Sequence, residues 1–254
     1  MLQEERLQKM KEHIDLAIFC SLHELCETFG ISRATARRDL NLLADANRVR
    51  LVRGGASAVS DGTTYDPPYA VKKTLHQEEK ARIAEAAVHL VHEGETVLLE
   101  SGTTALRIAE RLRGLRDITV ATNDVQIAAA LANCDGIDVT VIGGSLRKGY
   151  FATLGYFAQM TLERIQADIA FLGVDAVDAK RGFMVSNAEE VPVKQLVLAS
   201  AKRRVVICDH TKFESTSFLQ LCALQDVDLV LTGRELDETV RAKYEEAGAR
   251  IQLA

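Results

Sequence analysis

The chain has 254 residues, 47% of them hydrophobic and 26% charged, and a formal net charge of −5 at pH 7. That composition excludes a disordered or fibrous chain and allows a sizeable core in one or two domains. No apolar run approaches about 18 residues, and Glu4, Glu5, Arg6 and Lys9 interrupt the start, so neither a membrane span nor a secretory signal is expected and the chain reads as cytoplasmic.

Leu7, Met10, Ile14 and Ala17 recur every three or four residues and predict a first helix from Glu4 to about Ala17. Ser21-Leu22-His23-Glu24 fits a capping box, and Leu22, Leu25, Cys26 and Phe29 continue it as a second helix to Phe29, which Gly30 can end. Ser32 then caps a third helix from Arg33 to about Ala46, with Asn47 as a left-handed terminator. On that helix Ala36, Leu40 and Leu43 share one face; Ala34, Thr35, Arg38 and Asn41 lie opposite, and Arg37 on the flank. Arg48-Val49-Arg50-Leu51-Val52-Arg53 alternates charge with apolar side chains, the period of a half-buried strand, before Gly54-Gly55 turns it.

Three arginines on a helix can be an ordinary solvated face. Three helices followed by a basic strand and a glycine turn, however, make a winged helix-turn-helix. The charge distribution agrees: Arg33, Arg37, Arg38, Arg48, Arg50 and Arg53 meet only Asp39 and Asp45 within residues 31–56, whereas residues 61–254 hold 22 basic against 28 acidic side chains. The geometry suggests Arg38, Thr35, Ala34 and Asn41 for base edges and Arg33, Arg37, Arg50 and Arg53 for phosphates, with Ser32 at the helix start and Gly54 at the wing turn in the same set.

Ser57, Ser60, Asp61, Gly62, Thr63 and Thr64 lead into Pro67-Pro68, two of only three prolines, which reads as a boundary. We divide the chain into a DNA-binding domain (1–58), a linker (59–76) and an α/β domain (77–254). The last opens with a helix from Glu78 to His92. Thr96–Leu99, Ile118–Ala121, Val139–Ile142, Ile169–Val174, Val205–Cys208 and Leu229–Leu231 then alternate with helical patterns, predicting a doubly wound, mostly parallel sheet whose ligands sit at the strands' carboxyl ends.

Polar residues gather there. Glu100-Ser101-Gly102-Thr103-Thr104 opens a helix after a strand, where amides, hydroxyls and the helix dipole can cradle a phosphate, although Ser-Gly-Thr is also a common turn. Thr122-Asn123, Gly143-Gly144 with Arg147, Asp175, Glu189 with Lys194, and Asp209 with Lys212 fall at the other strand ends. Each has a plain reading as a turn, cap or surface pair. Cys20, Cys26, Cys134, Cys208 and Cys222 form no Cys-x-x-Cys pair, and His89 and His92 lack partners at matching spacing, so no disulfide framework, metal or cofactor is expected.

Thr35-Ala36-Arg37-Arg38-Asp39-Leu40, Leu43 and Arg53-Gly54-Gly55-Ala56 resemble the N-terminal domain of the DeoR/GlpR family of bacterial transcriptional regulators. Lys80-x-x-Ile83-Ala84, Ser101-Gly102-Thr103-Thr104, Thr122-Asn123, Gly143-Gly144-x-x-Arg147, Gly173-Val174-Asp175, Glu189-x-x-x-x-Lys194 and Asp209-His210-x-Lys212-Phe213 resemble its sensor domain over residues 78–233. Ala36 stands where the family usually has Ile or Val, Asn47 where it has Gly, and Glu100 where it has Asp. The resemblance implies a fold similar to ribose-5-phosphate isomerase, with Ser101, Thr103 and Thr104 holding phosphate and Asp175, Glu189, Lys194, Asp209 and Lys212 lining the sugar end. The expected protein is a repressor of a carbohydrate-utilisation operon. Its partners would be double-stranded operator DNA and a sugar phosphate or sugar acid effector, and it would act as a homodimer or higher oligomer. The alternative is a phosphosugar isomerase with an appended DNA module, in which Asp175, Glu189 and Lys194 would serve enediolate chemistry.

Overall fold

The structure is a computed structural model that describes residues 2–17, 19–46, 48–52, 54–58 and 62–254. The expectations for Asn47, Arg53, Ser60 and Asp61 lie outside the described residues. The chain divides into two compact units, Met1–Leu75 and His76–Ala254.

The first unit contains α1 (Gln3–Ala17), β1 (Phe19–Ser21), α2 (Leu22–Phe29), α3 (Arg33–Asp45), β2 (Val49–Val52), β3 (Gly55–Ala58) and α4 (Tyr69–Thr74). Ser21 and Glu24 cap each other's amides at the start of α2, and Gly30 ends that helix at φ 62. Met10 and Ile14 of α1, Leu25 of α2, Leu40 and Leu43 of α3 and Val49 and Ala56 of the sheet form one core. Arg6 reaches from α1 to Asp39 through two bonds of 2.6 and 3.2 Å, and the Asp39 carboxylate is wholly buried. Within the expected linker 59–76, Tyr69–Thr74 are helical and Tyr69 and Val71 are buried.

The sheet of this unit is antiparallel, in the order β1-β3-β2, and sequence periodicity shows only the β2 strand. In β2, Val49 is buried but Leu51 is 44% exposed, against the expected alternation. The cause is position: β2 is an edge strand, and its burial fades from Val49 towards the Gly54 turn. The middle strand reads Gly-Ala-Ser-Ala because nothing larger fits at its start. A Cβ on Gly55 would lie 2.1 Å from the Cys20 carbonyl oxygen and 2.8 Å from Ser21 Cα. Gly55→Ala is expected to part β1 from β3 and cost about 1–3 kcal/mol, lowering the melting point of the winged helix and its DNA affinity together. Thermal melts and gel shifts check this; unchanged values in both would remove the close-approach argument.

The second unit runs α5 (Gln77–Val88), β4 (Thr96–Leu99), α6 (Thr103–Leu112), β5 (Ile118–Thr122), α7 (Val125–Leu131), β6 (Ile137–Val141), β7 (Ser145–Leu146), β8 (Thr153–Leu154), α8 (Tyr156–Leu162), β9 (Ala167–Leu172), β10 (Ala176–Asp178), β11 (Gly182–Val185), α9 (Val191–Ala199), β12 (Ala201–Ile207), β13 (Leu219–Cys222), β14 (Leu229–Thr232), α10 (Glu238–Glu246) and β15 (Ile251–Leu253). Seven strands form one sheet, β15-β14-β12-β9-β4-β5-β6, with every pair parallel. Helices α5, α6 and α7 pack on one face, around Ile83, Ile108 and Ile127. Helices α8, α9 and α10 pack on the other, around Leu162, Val197 and Tyr244. The first helix of this domain is shorter than its apolar spacing predicts: α5 stops at Val88, and Leu90 and Val91 lie in a turn.

The strand order has one reversal. From β4 the chain winds outward through β5 and β6, then returns to the other side of β4 with β9 and winds outward through β12, β14 and β15. In a doubly wound sheet such a reversal leaves a crevice at the carboxyl ends of the two central strands, here β4 and β9, because their connecting loops diverge to opposite faces.

Candidate functional site

In the winged helix, Ser32 caps α3 by accepting the Thr35 amide (3.2 Å), and its hydroxyl also meets that of Thr35 (3.0 Å). Thr35 is therefore half-buried and tied to the helix start, less free to read a base than expected. Arg33, Ala34, Arg37, Arg38 and Asn41 are exposed on α3, as is Arg50 on β2. None of the four arginines makes an ion pair with a described residue. Arg48 differs: its guanidinium is held by Gln8 of α1. With Asp39 turned inward to Arg6, Asp45 is the one acidic side chain left exposed on α3. A groove of about 250 Å³ between α3 and the hairpin is lined by Arg37, Asn41, Leu51, Val52 and Gly54, among others. A helix with unpaired cations beside a cationic hairpin suits the phosphate backbone and groove of a duplex.

In the second unit, the loop after β4 lies at the reversal. The N–H groups of Gly102, Thr103, Thr104 and Ala105 make no hydrogen bond to any described residue, and α6 has no side-chain cap. Four aligned donors at the positive end of a helix dipole form a ready anion site. Gly102 adopts φ 155, ψ 163, a conformation that a side chain would resist. Beside these donors the Ser101 amide donates to Asn123 Oδ1 (3.0 Å) and the Ser101 hydroxyl to Asp124 Oδ2 (2.7 Å). Of the expected phosphate holders, Ser101 and Thr103 are half-buried, while Thr104 is buried and offers its amide rather than an open hydroxyl.

A chain of charges crosses the reversal. Lys194 Nζ donates to Glu100 Oε2 at 2.7 Å and to the Gly173 carbonyl at 2.9 Å, with Glu190 Oε2 at 3.8 Å. Glu190 Oε1 in turn accepts from Arg147 (2.5 Å), whose guanidinium lies 3.7 Å from the centre of the Tyr150 ring. Burial works against the Lys194 ammonium, but Glu100 and Glu190 outweigh it and keep it charged. Burial also pushes the Glu100 carboxyl up, to about 7, and Lys194 only partly offsets that. The pair thus carries a permanent positive charge and a negative one that titrates near neutrality.

The remaining expected residues take other places. Glu189 does not pair with Lys194; it is exposed on a short 3-10 turn, and Glu190 stands in the position expected of it. The cause is helical spacing, since 190 and 194 share a face and 189 does not. Thr122 is buried within β5, its hydroxyl accepting the Asp124 amide (3.1 Å). Asn123 is also buried, its side-chain amide donating to the Thr153 carbonyl (3.2 Å). Gly144 is set by packing, because a Cβ there would lie 2.4 Å from the Leu154 carbonyl, and Gly143 is exposed beside it. Asp175 Oδ2 accepts from the Ser186 amide and hydroxyl (3.0 and 2.8 Å). Asp209 and Lys212 belong to a second cluster, beyond β12, near His76, Glu79 and Lys80. There burial opposes the Asp209 charge, but Lys212, the Thr211 hydroxyl and Lys80 outweigh it and hold the carboxyl below its usual range.

A winged helix with unpaired arginines, joined in one chain to a parallel sheet with an anion-ready reversal, defines the class: a DNA-binding regulator with its own sensor domain. Residues 6–61 match the DeoR-like helix-turn-helix domain and residues 75–234 the DeoR C terminal sensor domain, and the chain belongs to the DeoR family of transcriptional regulators. It is 32% identical to the HTH-type transcriptional regulator GlpR of Haloferax volcanii, over 99% of this chain and 98% of that one. It is also 32% identical to the HTH-type transcriptional repressor GlcR of Bacillus subtilis, over 92% and 90%. Both relatives are named for transcriptional control, and the isomerase alternative falls: this is a regulator, not an enzyme. Among solved structures, ribose 5-phosphate isomerase A of Methanocaldococcus jannaschii overlaps 54% of each chain at 20% identity and a TM-score of 0.40, too low to bear on function. No helix among the described residues is long and apolar enough to cross a membrane.

Proposed function

We propose that the protein is a cytoplasmic repressor of a carbohydrate-utilisation operon that leaves its operator when a phosphorylated sugar or sugar acid enters the β4/β9 crevice. The observation that carries this reading is the row of unbonded amides from Gly102 to Ala105 at the strand-order reversal, a donor array matched to a phosphate. Lys194, Glu100 and Arg147 supply charge and hydrogen-bonding groups for the hydroxyl or carboxyl end of the same ligand, with Asp175 and Asn123 at the margin. On the DNA side, Arg38 and Asn41 read base edges and Arg33, Arg37, Arg50 and Arg53 meet phosphates, with Ser32 and Gly54 positioning the helix and the wing. Reading a symmetric operator takes two copies, so the working form is a homodimer or higher oligomer.

An effector shifts the protein off DNA only by binding the released state more tightly. Gel-shift titration of the operator complex against a panel of sugar phosphates and sugar acids tests this. Release by at least one phosphorylated compound, and by none of the matching unphosphorylated sugars, is expected. If no compound on the panel moves operator affinity, the inducer reading fails.

A further inference from the structure

At the carboxyl end of β12, the strand beside β9, the start of α5 and the turn after β12 bring His76 and Glu79 together with the distant His210. Their ligating atoms all lie within 4.8 Å of one another. Glu79 Oε2 stands 2.8 Å from His210 Nδ1 and 3.8 Å from His76 Nδ1. Its other oxygen, Oε1, is fixed by the backbone N–H of His210 at 2.7 Å. The carboxylate is therefore divided, one oxygen held by the backbone and the other turned to two imidazoles whose planes stand at 87° to each other.

We propose that His76 Nδ1, His210 Nδ1 and Glu79 Oε2 bind one divalent transition-metal ion of the zinc class, leaving a fourth position for water. With metal–ligand bonds of about 2.0–2.2 Å, neighbouring ligand atoms in a tetrahedral site are about 3.4 Å apart, between the two Glu79–imidazole distances, and the two imidazoles, within 4.8 Å of each other, reach the same spacing by side-chain rotation. Two imidazoles and a carboxylate suit zinc, cobalt or nickel rather than calcium or magnesium. The backbone bond to Oε1 orients the carboxylate as outer partners of metal ligands do. A hydrogen-bonded histidine–glutamate pair explains His210 alone; it gives no reason for the second imidazole to face the same oxygen at 3.8 Å. Access is open, because both imidazoles are about one-third exposed (34% and 32%) whereas Glu79 is 4% exposed. Two further carboxylates stand near the site: a Cβ on Gly233 would touch Glu79 at 2.4 Å and Glu235 at 2.3 Å, and Asp209 adjoins His210 in the chain. Lys80 and Lys212 act on Asp209, and Arg82 pairs with Glu235.

The test uses the untagged, metal-stripped full chain, titrated with zinc chloride by calorimetry and with cobalt chloride by visible absorption. One equivalent of Zn²⁺ per chain and an intense tetrahedral Co²⁺ band are expected, both weakened at least about tenfold in His76→Asn and in His210→Gln and unchanged in His89→Ala. Asparagine is chosen at 76 because it tolerates the left-handed backbone there, φ 50 and ψ 41, so this variant decides the matter by itself if His210→Gln fails to fold. Failure of the wild-type chain to take up either ion, or uptake that survives in His76→Asn, overturns the assignment.

Discussion

Lys194→Met is expected to destabilise the second unit by about 3–5 kcal/mol at pH 8, a fall in melting temperature on the order of 10 °C for a domain of this size. Lys194 and Glu100 are 5% and 2% exposed, so removing the ammonium leaves a carboxyl that must either hold its proton or carry a charge with little water around it, and takes the donor from the Gly173 carbonyl as well. The loss should depend on pH with a definite sign. The Glu100 carboxyl is raised to about 7 in the folded chain from an ordinary 4.5. A raised carboxyl favours the folded state below pH 4.5, and that contribution is lost as pH climbs through 7. Without Lys194 the carboxyl rises further, so Lys194→Met should cost about 2 kcal/mol less at pH 5, where Glu100 is neutral with or without its partner, than at pH 8.5, the loss growing by about 1.4 kcal/mol per pH unit above 7. Glu100→Gln together with Lys194→Met should recover most of the stability, since no charge is left buried. Melts of the three proteins at pH 5 and pH 8.5 decide it; a loss that is small or the same at both values would show that the pair is not a buried ion pair.

On the DNA side, Arg38→Ala is expected to cost about 1–3 kcal/mol against the preferred operator and far less against a random duplex, so its signature is lost discrimination. Arg37→Ala should weaken both duplexes alike and reduce the slope of log affinity against log salt by about one. The difference follows from position: Arg38 lies opposite buried Ala36, Leu40 and Leu43, whereas Arg37 lines the groove shared with the hairpin. Binding curves at several salt concentrations, on operator and random DNA, separate the two roles. Equal losses on both duplexes for Arg38→Ala would assign it to a phosphate instead.

Local signals in the sequence carry the elements well. Capping residues and apolar spacing place α2 from Leu22 to Phe29, as found, and β4 from Thr96 to Leu99. Where a strand's charges have partners elsewhere, the same reasoning stops short. Apolar patterning starts β12 at Val205, because Lys202, Arg203 and Arg204 before it are charged. In the fold those three pair with Asp168, Glu95 and Asp228, and the strand begins at Ala201. The candidate crevice is legible as a set of strand ends, but its inner wiring is not. Glu190 is within reach by its four-residue spacing from Lys194, whereas Asp124's hold on Ser101 and Glu79's on His210 arise only from tertiary contact, the second across 131 positions.

The Arg6–Asp39 contact bears on how such a regulator diversifies. Since Asp39 is turned inward to α1, the recognition helix divides into interleaved sets: Ala36, Asp39, Leu40 and Leu43 are committed to the scaffold, and Arg33, Ala34, Arg37, Arg38 and Asn41 are open to solvent. The open set can be randomised in a selection library, or drift among gene duplicates, to give new operator preferences without unseating the helix, provided Arg6 on the neighbouring helix is inherited with it.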